Sequence, residues 1–233
     1  MTNTLHRYGS RESLTDDYIV FTMPSGGIND EGAEPRLRAF LEAAVRRHPV
    51  NVGLASQGLY RPSKSLNLFS AYLRPRKHGV TPEQALNEAS TGNVGTVAAV
   101  FDNKNAFEAF IADVKRLDLG FSVNASAIVD DTRCACRNAG FQPHSVEYSL
   151  GFRGRLDKLP DGRVLELSTM CGHGMVSANY AQKMMMMVKE GRLKPERASQ
   201  YMAKFCTCGV FNPSRAVRIL EEARKGVRIA RVA

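Results

Sequence analysis

Asp17-Tyr-Ile-Val-Phe-Thr-Met23 is followed at once by Pro24-Ser-Gly-Gly-Ile-Asn-Asp30 and then by an amphipathic run from Pro35 to Arg47. A short β-branched and aromatic run closed by turn residues predicts a buried strand, and the run after it predicts a helix. Val50-Asn-Val-Gly-Leu-Ala55 predicts a second strand. The first fifty-five residues therefore read as a βαβ unit, with loops at the strand carboxyl ends where a ligand site is expected. Ser25 and Asn29 lie in the first of these loops and are candidate substrate contacts through amides that precede a helix. The loop has neither GxGxxG nor a Walker lysine, so an ordinary turn is the simpler reading.

Farther along, helical turns are expected among Leu66, Leu68, Phe69, Tyr72 and Leu73, and a helix opens at Thr81-Pro-Glu-Gln. A second pattern then runs strand Gly95 to Phe101, helix Asn105 to Leu117, strand Phe121 to Ile128, a helix carrying Arg133-Cys-Ala-Cys-Arg137, and strand Ser145 to Phe152. This β-α-β-α-β order is either a ferredoxin-like unit or an extension of the first sheet. Pro160-Asp-Gly162 marks a turn before a strand at Arg163 to Thr169, with Glu166 facing solvent by alternation. Helices follow at Val176 to Glu190, Pro195 to Phe205 and Pro213 to Lys225. The expected class is α/β or α+β. Residues 1–155 form an α/β region, divisible at 92/93 into two parts of one fold, and residues 156–233 form a strand plus a helical region carrying cysteine loops.

With 233 residues, 43% apolar and 24% charged, the chain can bury one large core or two small ones. No apolar stretch near the N-terminus resembles a signal peptide and none approaches the length of a spanning helix, so a cytoplasmic protein without a membrane segment is expected. A net charge of +9 attracts anions, from small carboxylates to polyanions. Arg215, Arg218, Arg224, Lys225, Arg228 and Arg231 concentrate it in the tail, where a solvated helical face is favoured over a nucleic-acid arm. Met184 to Met187 point around a helix and read as packing, not as a copper site. No GxSxG elbow or HExxH helix supports a hydrolase.

The five cysteines fall into tight groups: Cys134 and Cys136, Cys171 in Cys-Gly-His-Gly, and Cys206 and Cys208 in Cys-Thr-Cys-Gly. Thiolates are soft ligands, and two sulfurs two residues apart in a loop can face one centre. Gly191-Arg-Leu-Lys194 joins two predicted helices, and a hairpin there would return Cys206 and Cys208 to Cys171 and His173. Such a set suits two cofactors. Three thiolates hold a [4Fe-4S] cluster with one iron open, or Cys171, Cys206, Cys208 and His173 close around zinc. The three-thiolate arrangement is similar in ligand count to that of aconitase-type hydro-lyases and cluster-dependent desulfidases, which bind substrate at the iron that no cysteine holds. The cysteine spacings differ, so none of their catalytic residues carries over.

The first functional expectation is thus an iron–sulfur-dependent lyase for a small anionic substrate. His173 moves the proton, and Asn212 or Arg215 orients the substrate. The alternatives are a zinc-stabilised binding or regulatory protein that recognises a polyanion, and a thiol redox or sulfur-transfer protein. Cys134 and Cys136 are a possible extra ligand or redox pair because Arg133 and Arg137 flank them, although residues two apart on a helix diverge. His144 and Glu147 read as surface polarity.

Overall fold

The structure is a computed structural model and describes residues 5–56, 86–87, 94–206 and 208–226. Strands β1 (Tyr18–Met23), β2 (Asn51–Ser56), β3 (Val94–Phe101) and β4 (Ser122–Ser126) form one sheet in the order β2-β3-β1-β4, and every adjacent pair is antiparallel. Helix α1 (Glu34–Val45) connects β1 to β2, and α2 (Lys104–Leu117) connects β3 to β4. β3 inserts between β1 and β2, so the two β-α-β units interleave. An α+β fold results. The helical turns expected around Leu66 to Leu73 and the helix at Thr81 lie outside the described residues, except for helical Leu86 and Asn87.

Both faces of the sheet are covered, which explains the unbroken apolar character of β1. Tyr18 and Val20 enter one core with Leu37, Phe40 and Leu41 of α1 and with Phe107, Phe110 and Ile111 of α2. Helix α3 (Val129–Asn138) adds Ala135 and Cys136 to that core. Ile19 and Phe21 enter the other core, beneath α4 (Gly162–Thr169), α5 (Ala178–Lys189), α6 (Pro195–Ala203) and α7 (Pro213–Arg224). Local chemistry sets several boundaries. The Asn103 side chain caps α2 by accepting from the Ala106 amide at 2.8 Å, and Ser177 caps α5 through the Tyr180 amide at 3.2 Å.

Two expected strands do not form. Residues 163–169 belong to α4, because Asp161 accepts from the Arg163 amide at 3.0 Å and the buried Val164, Leu167, Met170 and Cys171 recur at helical spacing. Glu166 is consequently buried and not solvent-facing. Residues 145–152 are irregular and exposed, with no place in the sheet. Among the described residues, no helix is long and apolar enough to cross a membrane.

Candidate functional site

Cys171 lies in the turn just after α4, and Cys206 and Cys208 lie between α6 and α7. The α5–α6 hairpin brings the two loops together over the sheet. The Cys208 sulfur stands 3.9 Å from that of Cys206 and 3.4 Å from His173 Nδ1. Cys206 also hydrogen-bonds Cys171, so the four groups form a continuous series from Cys171 through Cys206 and Cys208 to His173. All three sulfurs belong to the core on this face.

The Cys171 sulfur accepts amide hydrogen bonds from Met175 at 3.1 Å and from His173 at 3.3 Å. Gly172 and Gly174, at φ of 73° and 71°, let the chain fold back around that sulfur. The hydrogen bond from Cys206, aided by these amides, outweighs burial and brings the Cys171 thiol down to about 6. Cys208 is brought down to about 5 by Cys206 first, against burial, with His173 adding to the effect. Hydrogen bonding with Cys171 and with Cys208, together with burial, pushes the Cys206 thiol well above its ordinary value. The bond to Cys208 raises His173 in turn, against burial. Two thiols shifted down, a third shifted up between them and an imidazole shifted up therefore stand in series.

The sheet provides a floor for this centre. The Cys208–Gly209 turn lies directly on Gly53 of β2, where a Cβ would stand 1.9 Å from the Cys208 carbonyl oxygen. Gly209 has φ of 70°, and a Cβ there would stand 2.4 Å from the Gly53 Cα. Polar groups hold the loop from its sides. Arg7 donates to the Val210 carbonyl, and Asn51 Nδ2 donates to the Phe211 carbonyl at 2.8 Å. Leu5 covers the other loop, within 2.7 Å of where a Gly172 Cβ would lie.

Arg215 and Asn212, expected at the substrate, have a different position. Both are fully buried. The Arg215 guanidinium pairs with Asp17 at 2.9 Å and Glu166 at 3.0 Å, and it donates to the Ser13 and Tyr8 carbonyls. Asn212 caps α7 by accepting from the Arg215 amide at 3.0 Å, and its Nδ2 donates to the Asp16 carbonyl at 2.7 Å. Arg7 also pairs with Asp17, so two guanidiniums balance two carboxylates in the interior. Burial pushes the Asp17 carboxyl up, and the two guanidiniums outweigh it and hold it below the ordinary carboxylate range.

Ser25 and Asn29 close their own turn. Asn29 Oδ1 accepts from the Ser25 amide at 2.6 Å, and its Nδ2 donates to the Gly120 carbonyl at 2.7 Å. Cys136 lies in the core on the opposite face of the sheet from Cys171, Cys206 and Cys208, and burial raises its thiol despite the flanking arginines. Cys134, on the same helix, contacts Asn138 at 3.7 Å. Arg7, Asp17, Gly53 and Leu5 were not singled out from sequence. Gly53 alone carried a usable signal, because a glycine inside a strand marks close approach of another backbone.

No protein-family model, curated protein or solved structure matches this chain. The centre must therefore be judged on its own donors. Three thiols and an imidazole suit a soft or borderline ion. A tetrahedron with bonds of about 2.3 Å to sulfur and about 2.0 Å to nitrogen has edges near 3.8 Å between two sulfurs and near 3.5 Å between sulfur and nitrogen. The 3.9 and 3.4 Å separations match two such edges. A cubane cluster puts each thiolate on its own iron, and its sulfurs stand wider apart than ligands of one ion, a spacing that Cys206 and Cys208 do not have. Among the described residues no group of three or more His, Cys, Asp and Glu side chains is arranged to hold a metal ion.

Proposed function

We propose that this chain is a zinc-stabilised binding protein for a polyanion, with Cys171, His173, Cys206 and Cys208 as the ligands of one ion. The observation that carries the proposal is the 3.9 Å approach of the Cys206 and Cys208 sulfurs beside His173 Nδ1, 3.4 Å from Cys208. Cys171 joins the set through its contact with Cys206. The ion would supply a cross-link between the loop after α4 and the loop before α7, fixing the helical layer on Gly53. The +9 charge supports the anionic partner. Lys183, Lys189, Lys194 and Arg197 are exposed on the α5–α6 hairpin.

The expected result is about one zinc per purified chain, no visible absorbance, and binding to heparin and to a duplex oligonucleotide that weakens steeply with salt. A colourless, zinc-free protein, or one indifferent to both polyanions at low salt, would refute the proposal.

A second reading, the iron–sulfur-dependent lyase, rests on one specific observation. Among the described residues, His173 Nε2 is buried without a hydrogen-bond partner. A ligating imidazole ordinarily donates its remaining N–H to an acceptor behind it, whereas an unpartnered nitrogen suits a proton donor that meets its substrate. In that reading Cys171, Cys206 and Cys208 would hold a [4Fe-4S] group, which would supply Lewis-acid chemistry toward a small anion while His173 moves the proton. Oxygen-free purification with about four irons and four sulfides per chain would select it over zinc.

A further inference from the structure

Ser145-Val-Glu-Tyr-Ser-Leu-Gly-Phe152 runs outside both cores with every residue exposed. Val146, Tyr148, Leu150 and Phe152 are 39, 56, 78 and 38% exposed, and they alternate as one face of a strand does. Among the described residues this segment makes no backbone-to-backbone hydrogen bond. Its attachments are side chains: the Tyr148 hydroxyl accepts from Arg133 at 3.1 Å, Ser149 meets His6 at 3.0 Å, and Phe152 lies 5.7 Å from Tyr8, centroid to centroid. An apolar, alternating stretch with open backbone groups is a template for another strand.

We propose that this segment is a homodimerisation strand, in which two copies pair antiparallel with Leu150 opposite its own counterpart on the twofold axis. The sequence is self-complementary about that residue. Tyr148 then faces Phe152 of the second copy and Glu147 faces Arg153, each pair occurring twice. Aromatic and opposite-charge partners directly across an antiparallel pair stabilise it. Centring the pair on Ser149 instead sets Glu147 against Gly151 and loses the charge match. Gly151, at φ of 74°, adopts the extended conformation on pairing without a Cβ penalty. A two-stranded ribbon is a small interface, so the dimer is weak and concentration-dependent.

Sedimentation velocity of the full chain over a concentration series up to roughly 1 mM tests this, since a dissociation constant above that corresponds to negligible association. Glu147→Arg alone and Arg153→Glu alone each place two like-charge contacts across the axis and should raise the dissociation constant about tenfold. The double variant restores opposite charges and should return to within about threefold of the unaltered chain. Leu150→Cys should cross-link to its own copy under mild oxidation, and Ser149→Cys should not. A monomer throughout with no cross-link at 150, or a double variant no tighter than the single ones, overturns the proposal. Capture of a different protein by a monomeric chain also counts against it.

Discussion

The Cys208 carbonyl rests on Gly53, with no room between them for a methyl group. The thiol loop therefore depends on a β2 residue more than 150 positions away in sequence, which lacks a side chain where the loop descends. Gly53→Ala should lift the loop and lower stability by about 1–3 kcal/mol, as overpacking does. Thermal denaturation with zinc analysis checks this. Unchanged stability and metal content would mean that the loop does not sit on β2.

The cysteines should separate into two groups. Cys171→Ala, Cys206→Ala and Cys208→Ala are each expected to reduce bound zinc from about one per chain to near zero. Cys134→Ala and Cys136→Ala should leave it intact, because Cys136 belongs to the core across the sheet. Metal analysis of the five variants makes the comparison, and zinc retained in Cys206→Ala would remove that residue from the ligand set.

Asp17 connects pH to folding. Its carboxyl is held below its unfolded value by Arg7 and Arg215 despite burial, so the ionised form contributes stability at neutral pH. That contribution is present above about pH 4 and is lost as pH falls through the lower folded value. Asp17→Asn should flatten this acid limb in urea denaturation midpoints measured against pH. It should also cost about 3–5 kcal/mol at neutral pH, because both guanidiniums lose a buried partner. An acid limb as steep as that of the unaltered chain would assign the dependence to other carboxylates.

Leu5 covers the Gly172 loop from the N-terminal segment. Leu5→Ala should cost about 2 kcal/mol, near the lower end for a buried leucine. It should also speed zinc transfer to a chelator, which a colorimetric assay follows directly. Equal transfer rates with reduced stability would separate packing from access to the metal.

Much of the local structure was legible in the chain. The period of Leu37, Phe40, Leu41 and Ala44 places α1, and the three C-terminal helices fall close to their expected bounds. Local signals failed where long-range contacts decide. Val164-Leu-Glu-Leu167 reads as a strand, yet the Asp161 cap with the Arg215 partner of Glu166 selects a helix. Val146 to Phe152 alternates like a strand yet finds no place in the sheet, because alternation describes a face without providing a neighbour.

By itself, the sequence determined the periodicity of α1 and of the three C-terminal helices and the clustering of thiols, since each depends on residues a few positions apart. Only the tertiary structure decided that β3 separates β1 from β2, that Cys171 meets Cys206, and that Arg215 turns inward to Asp17 and Glu166. Those outcomes depend on burying both sheet faces at once and on balancing interior charge, and no short stretch of chain encodes either requirement.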